Sequence, residues 1–437
     1  MFSSIFIVIA MGVMLPAILM APHTSIFIWS WFSYMNPHRN TWSFAKTLPL
    51  LDAVAAFTMV AWLTSKERKL PPAHPIVAVL LFFFLWTLVT TVFATNQDLA
   101  WDRLLIFFKI ILFTFFTMIF ITTPQRLRYL IYIIIVCLAL YSLRGGIFTI
   151  LNGGKYIVFG PSKSFLSDNI QLALAFITVV PLCFWAYKHG EHFIVRMLGG
   201  SIGALTLISV LGSHSRGALV ALVGMGAWMI IIGRRWVAGP LLALAVLGGA
   251  TILMPESWFE RMNTIDEFEE DESANTRLRM WKYTLNATNA SPVLGHGFVY
   301  IFNKTLAGKY MPGGGKIFVA HSNYFDTLGE HGYVGLFLYL LLFSCAFVTT
   351  SEIRKLTKKV EGYEWALDLA QMLQFSLVGF ALGGAFLSLS IFDLYYHVVA
   401  MVMMLHYMVA KELAPEQKHV VLNQFKLRSG STAVPAE

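Results

Sequence analysis

Charge is scarce in this chain. Asp, Glu, Lys and Arg make up 13% of its 437 residues, against 57% hydrophobic, and the mean hydropathy is +0.66. Soluble domains carry about 25% charged residues, so a soluble fold is excluded and the composition is that of an integral membrane protein. Cysteine is scarcer still: Cys137, Cys183 and Cys345 all fall inside apolar runs. A thiol there acts as a small hydrophobe, and the spacing offers neither a disulfide framework nor a zinc site. The alternating segments of about ten residues that mark a β-barrel are also missing. The first apolar run follows "MFSS" without a Lys or Arg, so it lacks the basic start of a secretory leader and is expected to be retained as a helix.

What is present is a series of apolar runs long enough to cross a hydrocarbon core about 30 Å thick as helices. They lie near 3–22, 47–64, 75–94, 104–122, 128–150, 169–187, 194–212, 217–233, 238–254, 332–350, 366–390 and 392–410. The expected class is therefore all-α: a polytopic transmembrane bundle of about twelve spans, both termini cytoplasmic, with one large periplasmic loop containing helices. Residues 1–254 would hold the first nine spans, 255–331 the loop, 332–410 the last three spans and 411–437 a cytoplasmic tail. Orientation rests on Lys and Arg in short loops. "SKERK" at Ser65–Lys69, Arg126 and Arg128, Lys188 and Arg196, Arg234 and Arg235, and "IRKLTKK" at Ile353–Lys359 all fall on the side assigned to the cytoplasm. The net charge of +8 is then accounted for by anchoring to anionic lipid headgroups, and no nucleic-acid partner is expected.

The loop near 255–320 breaks that pattern with Arg261, Arg277, Arg279, Lys282, Lys304, Lys309 and Lys316, beside the acidic run "DEFEEDE" at Asp266–Glu272. Long loops translocate regardless of charge. Within it, an amphipathic helix is expected from Ala274 to Thr288, capped by Ser273, with Arg277 and Trp281 four apart on one face and Arg279 pointing elsewhere. Gly295, Gly297 and "PGGGK" at Pro312–Lys316 suggest a mobile stretch able to close over a ligand; no Ser or Thr follows Lys316, so this is not a phosphate loop. The acidic run is sequential, without the spaced ligands of a calcium loop, and reads as a solvated face. Metal ligation is not expected anywhere in the chain.

Three further segments bring polar groups to the same membrane face. In "LGSHSRGALVALVG" (Leu211–Gly224), Arg216 stands at a helix start, where a bound anion would gain from both the guanidinium and the helix dipole. His214 and Ser215 are adjacent and cannot converge as a nucleophile–base pair. The stretch 144–176 adds Arg144, Lys155 and Lys163, then Asp168, expected as a helix N-cap, with Asn169 and Gln171 beside it. In "HSNYFDTLGEHGYVG", a short helix starting near Ser322 would carry His321, Asp326, Glu330 and His331 to the edge of the next span, with Gly329, Gly332 and Gly335 permitting a bend. An ordinary histidine titrates near 6.5, so His321 can be neutral and basic at ambient pH. A headgroup contact is the plainer expectation for His331.

"SRGA" at Ser215–Ala218, "SANTRLRMW" and "SPVLGHGF" within the loop, and "HSNYFDTLGEHGYVGL", in that order, resemble the O-antigen ligase and polymerase superfamily. "MLPAILMAPHTSIFIWSWFSYMNPHR" and "FGPSKSFLSDN" are similar to a branch described as O-glycosylation ligases; Ile170 stands where that pattern leads one to expect a second Asn. The resemblance covers about residues 1–410 and implies a bacterial inner-membrane enzyme with its active site facing the periplasm. It would move a preassembled glycan from an undecaprenyl-pyrophosphate-linked donor to a lipid A-core acceptor, without cofactor or metal. The family's functional residues fall on Arg216, Arg277 and His321, with Arg279 a substitute for Arg277. Arg279, Arg144 and Lys163 are expected to help bind pyrophosphate or glycan; Asp326, Glu330, Asp168 and Asn169 are expected supports. A monomer surrounded by membrane lipid is expected. A glycan polymerase or a protein O-oligosaccharyltransferase would use the same donor and residues. A secondary transporter would show repeated halves with matching broken helices, which this sequence does not display.

Overall fold

A computed structural model describes residues 2–38, 41, 44–66, 69–161, 164–232, 248–263 and 272–429. No strand occurs among the described residues. The helices are α1 (Phe2–Met20), α2 (Thr24–Ser30), α3 (Leu50–Thr64), α4 (Pro75–Val92), α5 (Gln97–Phe120), α6 (Pro124–Leu151), α7 (Asn169–His189), α8 (Phe193–Gly212) and α9 (Arg216–Ile232). After them come α10 (Glu256–Asn263), α11 (Glu272–Ala290), α12 (Lys304–Tyr310), α13 (Asn323–Thr357), α14 (Glu364–Gly384) and α15 (Asp393–Ser429). Helix starts follow from local chemistry. His74 and Thr123 each accept a hydrogen bond from the second or third backbone N–H of α4 and α6, whose first residues are Pro75 and Pro124; proline at that position loses no helical hydrogen bond.

Among the described residues, eight helices are long and apolar enough to cross a membrane: α4 to α8, α13, α14 and the Asp393–Leu413 part of α15. The other four expected spans fall differently. Those near 3–22, 47–64 and 217–233 correspond to the shorter apolar helices Ser4–Met20, Leu50–Thr64 and Arg216–Ile232, and the one near 238–254 lies largely outside the described residues. Burial separates the centre from the rim. The spanning windows of α7 and α15 are 78% and 83% buried, whereas those of α8 and α13 are 33% buried. α7 packs on α8 and α14, and α15 on α5, α13 and α14. Phe82, Ile194, Val223 and Phe337 stay exposed on the outer helices, as side chains facing lipid do.

The helices alternate in direction. The C-termini of α4, α6, α8 and α14 and the N-termini of α5, α7, α9, α13 and α15 gather at one end, linked by hydrogen bonds such as Thr95 N to His296 O, Asn169 Nδ2 to Ser213 O and His214 Nε2 to Gly154 O. Twenty-one residues of α7, at about 1.5 Å each, put its other end about 30 Å away. There Lys188 and His189 pair with Asp368, and Arg128 with Glu191 at 2.9 Å.

A small cap sits at the first end. Its core consists of Met280, Tyr283 and Ala287 from α11 with Tyr300, Ile301, Ala307 and Ala320. The cap is joined to the bundle where α13 breaks. Gly332 has φ 69° and ψ −172°, so a lip helix, 323–331, precedes a span that resumes at Tyr333. A break strips carbonyls of their helical donors. Here the loop before Tyr300 supplies replacements: His296 N donates to Gly329 O at 2.9 Å and Gly297 N to Glu330 O at 2.8 Å, while Pro292 O accepts from Tyr333 N at 2.9 Å. Gly295 and Gly297 are therefore packed hinge pins, not the mobile stretch expected from their composition. A Cβ on Gly295 would lie 2.6 Å from Gly332 N, and one on Gly297 2.2 Å from Ala94 Cβ. By contrast, Cβ atoms on Gly313 and Gly314 would meet nothing. Of the acidic run, Asp266–Asp271 and the Glu272 side chain lie outside the described residues.

Candidate active site

His321 is placed by its neighbours. The indole of Trp281 stacks on Phe325, with ring centroids 4.8 Å apart and planes 7° apart, and its Nε1 donates to Ala320 O at 2.8 Å. α11 thus clamps both sides of His321. Below, Asn323 Oδ1 accepts from Leu389 N, and Tyr324 Oη donates to Ala381 O at 2.6 Å, tying the lip helix to α14 and the segment after it. His321 itself has φ +49°, a left-handed conformation that a non-glycine residue holds only when its surroundings impose it.

Arg277 lies one turn before Trp281 on the same face of α11, and it and Asp168 are the charges His321 senses. Burial, first, and then the Arg277 guanidinium hold the imidazole pKa below its ordinary 6.5, against a smaller opposing pull from Asp168. Both main causes disfavour the imidazolium, so His321 is neutral at pH 7. Other histidines at this end are engaged: His214 with Gly154 O at 2.8 Å, His296 with Ala287 O at 2.8 Å and His331 Nδ1 with Thr90 Oγ1 at 2.7 Å. Among the described residues, the His321 ring makes no hydrogen bond.

Asp168 caps α7 by accepting from Ile170 N at 3.4 Å. Asn169 donates to Ser213 O at 2.7 Å, which ties the start of α7 to the turn that launches α9. In that turn Ser215 Oγ accepts from Ala218 N at 3.1 Å and His214 is in a left-handed conformation with φ +53°. Ser215 is thus a helix cap, and Arg216 opens α9. A Cβ on Gly217 would sit 2.9 Å from Phe386, and one on Gly384 2.5 Å from Asn323 Nδ2. The chain after α14 therefore touches both the Arg216 turn and the His321 segment. His321, Arg277 and Asp168 thus sense one another, and the turn that carries Arg216 is tied to Asn169 and to the chain after α14.

The remaining expected residues are elsewhere. Arg279 turns toward the glycine loop, donating to Lys316 O at 3.3 Å. Arg144 lines a cavity of about 440 Å³ between α6 and 157–161. Lys163 lies outside the described residues. His331 is 2% exposed, with its ring on Thr90 and its carbonyl accepting from Trp86 Nε1 at 2.9 Å; it is a buried packing group and does not meet headgroups as expected. Asp326 and Glu330 face a second, smaller cavity together with Arg103 of α5. Arg103 escaped notice in the sequence because it stands in the apolar run of α5, where it looks like a membrane-edge anchor.

Residues 202–340 match the family model described as "O-Antigen ligase". That segment is thus similar to the O-antigen ligase and polymerase superfamily, in keeping with the motifs it carries. It contains Arg216, Arg277, Arg279, His321, Asp326 and Glu330. Residues 2–191, with Arg103, Arg144, Asp168 and Asn169, match a "Family of unknown function (DUF5935)". No curated protein matches the chain. The candidate site residues are divided between the two matched segments, Asp168 and Asn169 in the first and Arg216, Arg277 and His321 in the second.

Proposed function

We propose that the chain is an inverting, metal-independent glycosyltransferase of the bacterial inner membrane. It takes a preassembled glycan from undecaprenyl pyrophosphate and joins it to a sugar hydroxyl of lipid A-core at the periplasmic face. The observation that carries this reading is the half-buried His321, held in a left-handed conformation beside Arg277, its ring making no hydrogen bond among the described residues. A general base needs a neutral, accessible nitrogen, and burial plus a neighbouring cation provide the first.

In this mechanism the acceptor hydroxyl gives its proton to His321 as its oxygen attacks the anomeric carbon. The bond from that carbon to the pyrophosphate oxygen breaks, and undecaprenyl pyrophosphate leaves. The leaving oxygen gains negative charge as the bond lengthens. Arg216, at the start of α9, and Arg277 stabilise that charge, and a guanidinium fork can bind phosphate oxygens bidentately while staying charged. Asp168 and Asn169 position the Arg216 turn relative to α7. The arginines do the work a divalent ion would otherwise do, so a chelator leaves the rate unchanged. The periplasmic placement is supported by the Arg128, Lys188 and Lys355 end of the bundle lying opposite the site, as cytoplasmic cations would.

The test is reconstitution of the purified chain with undecaprenyl-pyrophosphate glycan and, in parallel, lipid A-core, a second donor chain or a Ser-rich protein, each with and without chelator. Glycan on lipid A-core alone supports the ligase; glycan added only to the second donor chain makes the protein a polymerase, and glycan only on the protein makes it an oligosaccharyltransferase. Absence of transfer to all three overturns the reading.

A further inference from the structure

The cavity of about 250 Å³ beside the lip helix is lined by groups of both charge signs. Asp326 and Glu330 project from the lip helix, Arg103 from the first turns of α5, and Ser388 and Ser390 from the chain between α14 and α15. Glu330 is fixed: its Oε1 accepts from Val299 N at 3.2 Å, in a turn where Val299 has φ +60°. Arg103 lies with its guanidinium carbon 5.4 Å from the centre of the Phe165 ring. Among the described residues no salt bridge joins Arg103 to either carboxylate, although all three face the same space. Burial raises the carboxyl pKa of Asp326 to about 7 and that of Glu330 to about 8 against the pull of Arg103, so at neutral pH the two carboxyls share their charge and can donate as well as accept.

Charge balance narrows what the cavity can hold. A phosphate would meet the negative charge that the two carboxyls share, and a cation would meet Arg103; each loses on one side what it gains on the other. A neutral ligand with adjacent hydroxyls suits both sides, because each hydroxyl donates to a carboxylate oxygen and accepts from a guanidinium N–H. Phe298 and Phe302 add apolar wall for the C–H face of a ring. The volume is below the roughly 300–1,000 Å³ of pockets for drug-sized ligands, so one sugar ring fits and a chain does not.

We propose that the Arg103–Asp326–Glu330 cavity is a monosaccharide subsite that holds one neutral sugar ring beside the reacting centre. It rests on the glycan-transfer reading for its role. Asp326 is five residues past His321 on the same lip segment, so a ring seated there belongs to a sugar near the bond being formed, from the acceptor or from the donor. Arg103 comes from the segment matched by the family of unknown function, which would then contribute to sugar choice.

The test uses the full purified chain in nanodiscs and a panel of methyl glycosides of hexoses, heptoses and N-acetylhexosamines, with binding read by saturation-transfer NMR. At least one glycoside is expected to bind. Affinity should fall about tenfold or more in Arg103→Gln and in Asp326→Asn, each of which removes charge-assisted hydrogen bonds. Ser388→Leu, which fills the cavity and leaves its charges, should weaken binding equally, and His321→Ala should retain it. Melting curves identify folded variants. If no glycoside binds, or if folded Arg103→Gln and Ser388→Leu bind like the unaltered chain, the subsite is overturned. In transfer assays, a Ser388→Leu increase in KM for lipid A-core alone assigns the ring to the acceptor; an increase for the donor alone assigns it to the donor. Glycoside binding that depends on Arg103 in a chain showing no transfer would uphold the cavity and sink the glycan-transfer reading.

Discussion

At the scale of single residues, His321 and Arg277 are coupled, and that coupling has a sign. With the imidazole pKa held below 6.5 by burial and by Arg277, transfer should be at its plateau at pH 7 and fall only as pH drops through the lowered value. Arg277→Gln removes one of the two lowering causes, so the residual activity should show its acid limb at higher pH. Asp168→Asn removes the opposing pull and should move the limb to lower pH. Both shifts are read from kcat/KM against pH in the reconstituted assay, and a limb unmoved by Arg277→Gln would refute the pairing. His321→Ala should abolish transfer above background. Loss of a charge-assisted hydrogen bond of about 1.5–3 kcal/mol corresponds to about ten- to a hundredfold in rate, which is the expected deficit of Arg277→Ala. Arg279→Ala should do less, because that side chain holds the Pro312–Lys316 loop through Lys316 O and lies away from the imidazole. The sequence offered both arginines; the turn of α11 that presents Arg277 beside Trp281 distinguished them.

At the scale of elements, the break at Gly332 governs where the lip helix points. A Cβ there would lie 2.2 Å from Val293 O at a φ of 69°, so Gly332→Ala both strains the backbone and pushes the supporting loop away. The expected cost is about 1–3 kcal/mol, visible as a lower melting temperature of the detergent-solubilised protein together with reduced transfer. Trp281→Ala should leave the melting temperature closer to that of the unaltered chain and still depress kcat, since it frees the segment carrying His321 without opening the bundle. The helix starts at Asp168 and Arg216 were readable in the chain because helix starts follow local chemistry. The pairing of the 292–297 loop with the broken backbone of α13 was not, because His296 and Gly329, Gly297 and Glu330, and Pro292 and Tyr333 are each more than thirty residues apart in sequence. Composition alone made that loop look mobile.

At the scale of the whole molecule, the alternation of helix directions predicts sidedness. In intact bacterial cells, a single cysteine at Lys316 should react with a membrane-impermeant maleimide from outside, and one at Lys358 should react only after the membrane is opened. The reverse pattern would invert the topology and remove the periplasmic site. Among the described residues, eight helices meet the length and hydropathy of a span, and they were legible from hydropathy because a hydrocarbon slab about 30 Å thick sets the length of any helix that crosses it. The three shorter apolar helices were not separable from full spans by hydropathy, since a run of apolar residues does not show where its backbone stops being helical.

The chain by itself determined the membrane class, the helical composition, the cap at Asp168, and the motifs around Arg216, Arg277 and His321. Those properties depend on transfer free energy and on hydrogen bonds between near neighbours, both of which are written in local order. Only the tertiary structure decided that His331 is a packing group and His321 is not, that Arg277 and not Arg279 faces the imidazole, and that Arg103 of α5 shares a cavity with Asp326 and Glu330. Burial, electrostatic proximity and cavity shape depend on residues hundreds of positions apart coming together, and no local pattern encodes that distance.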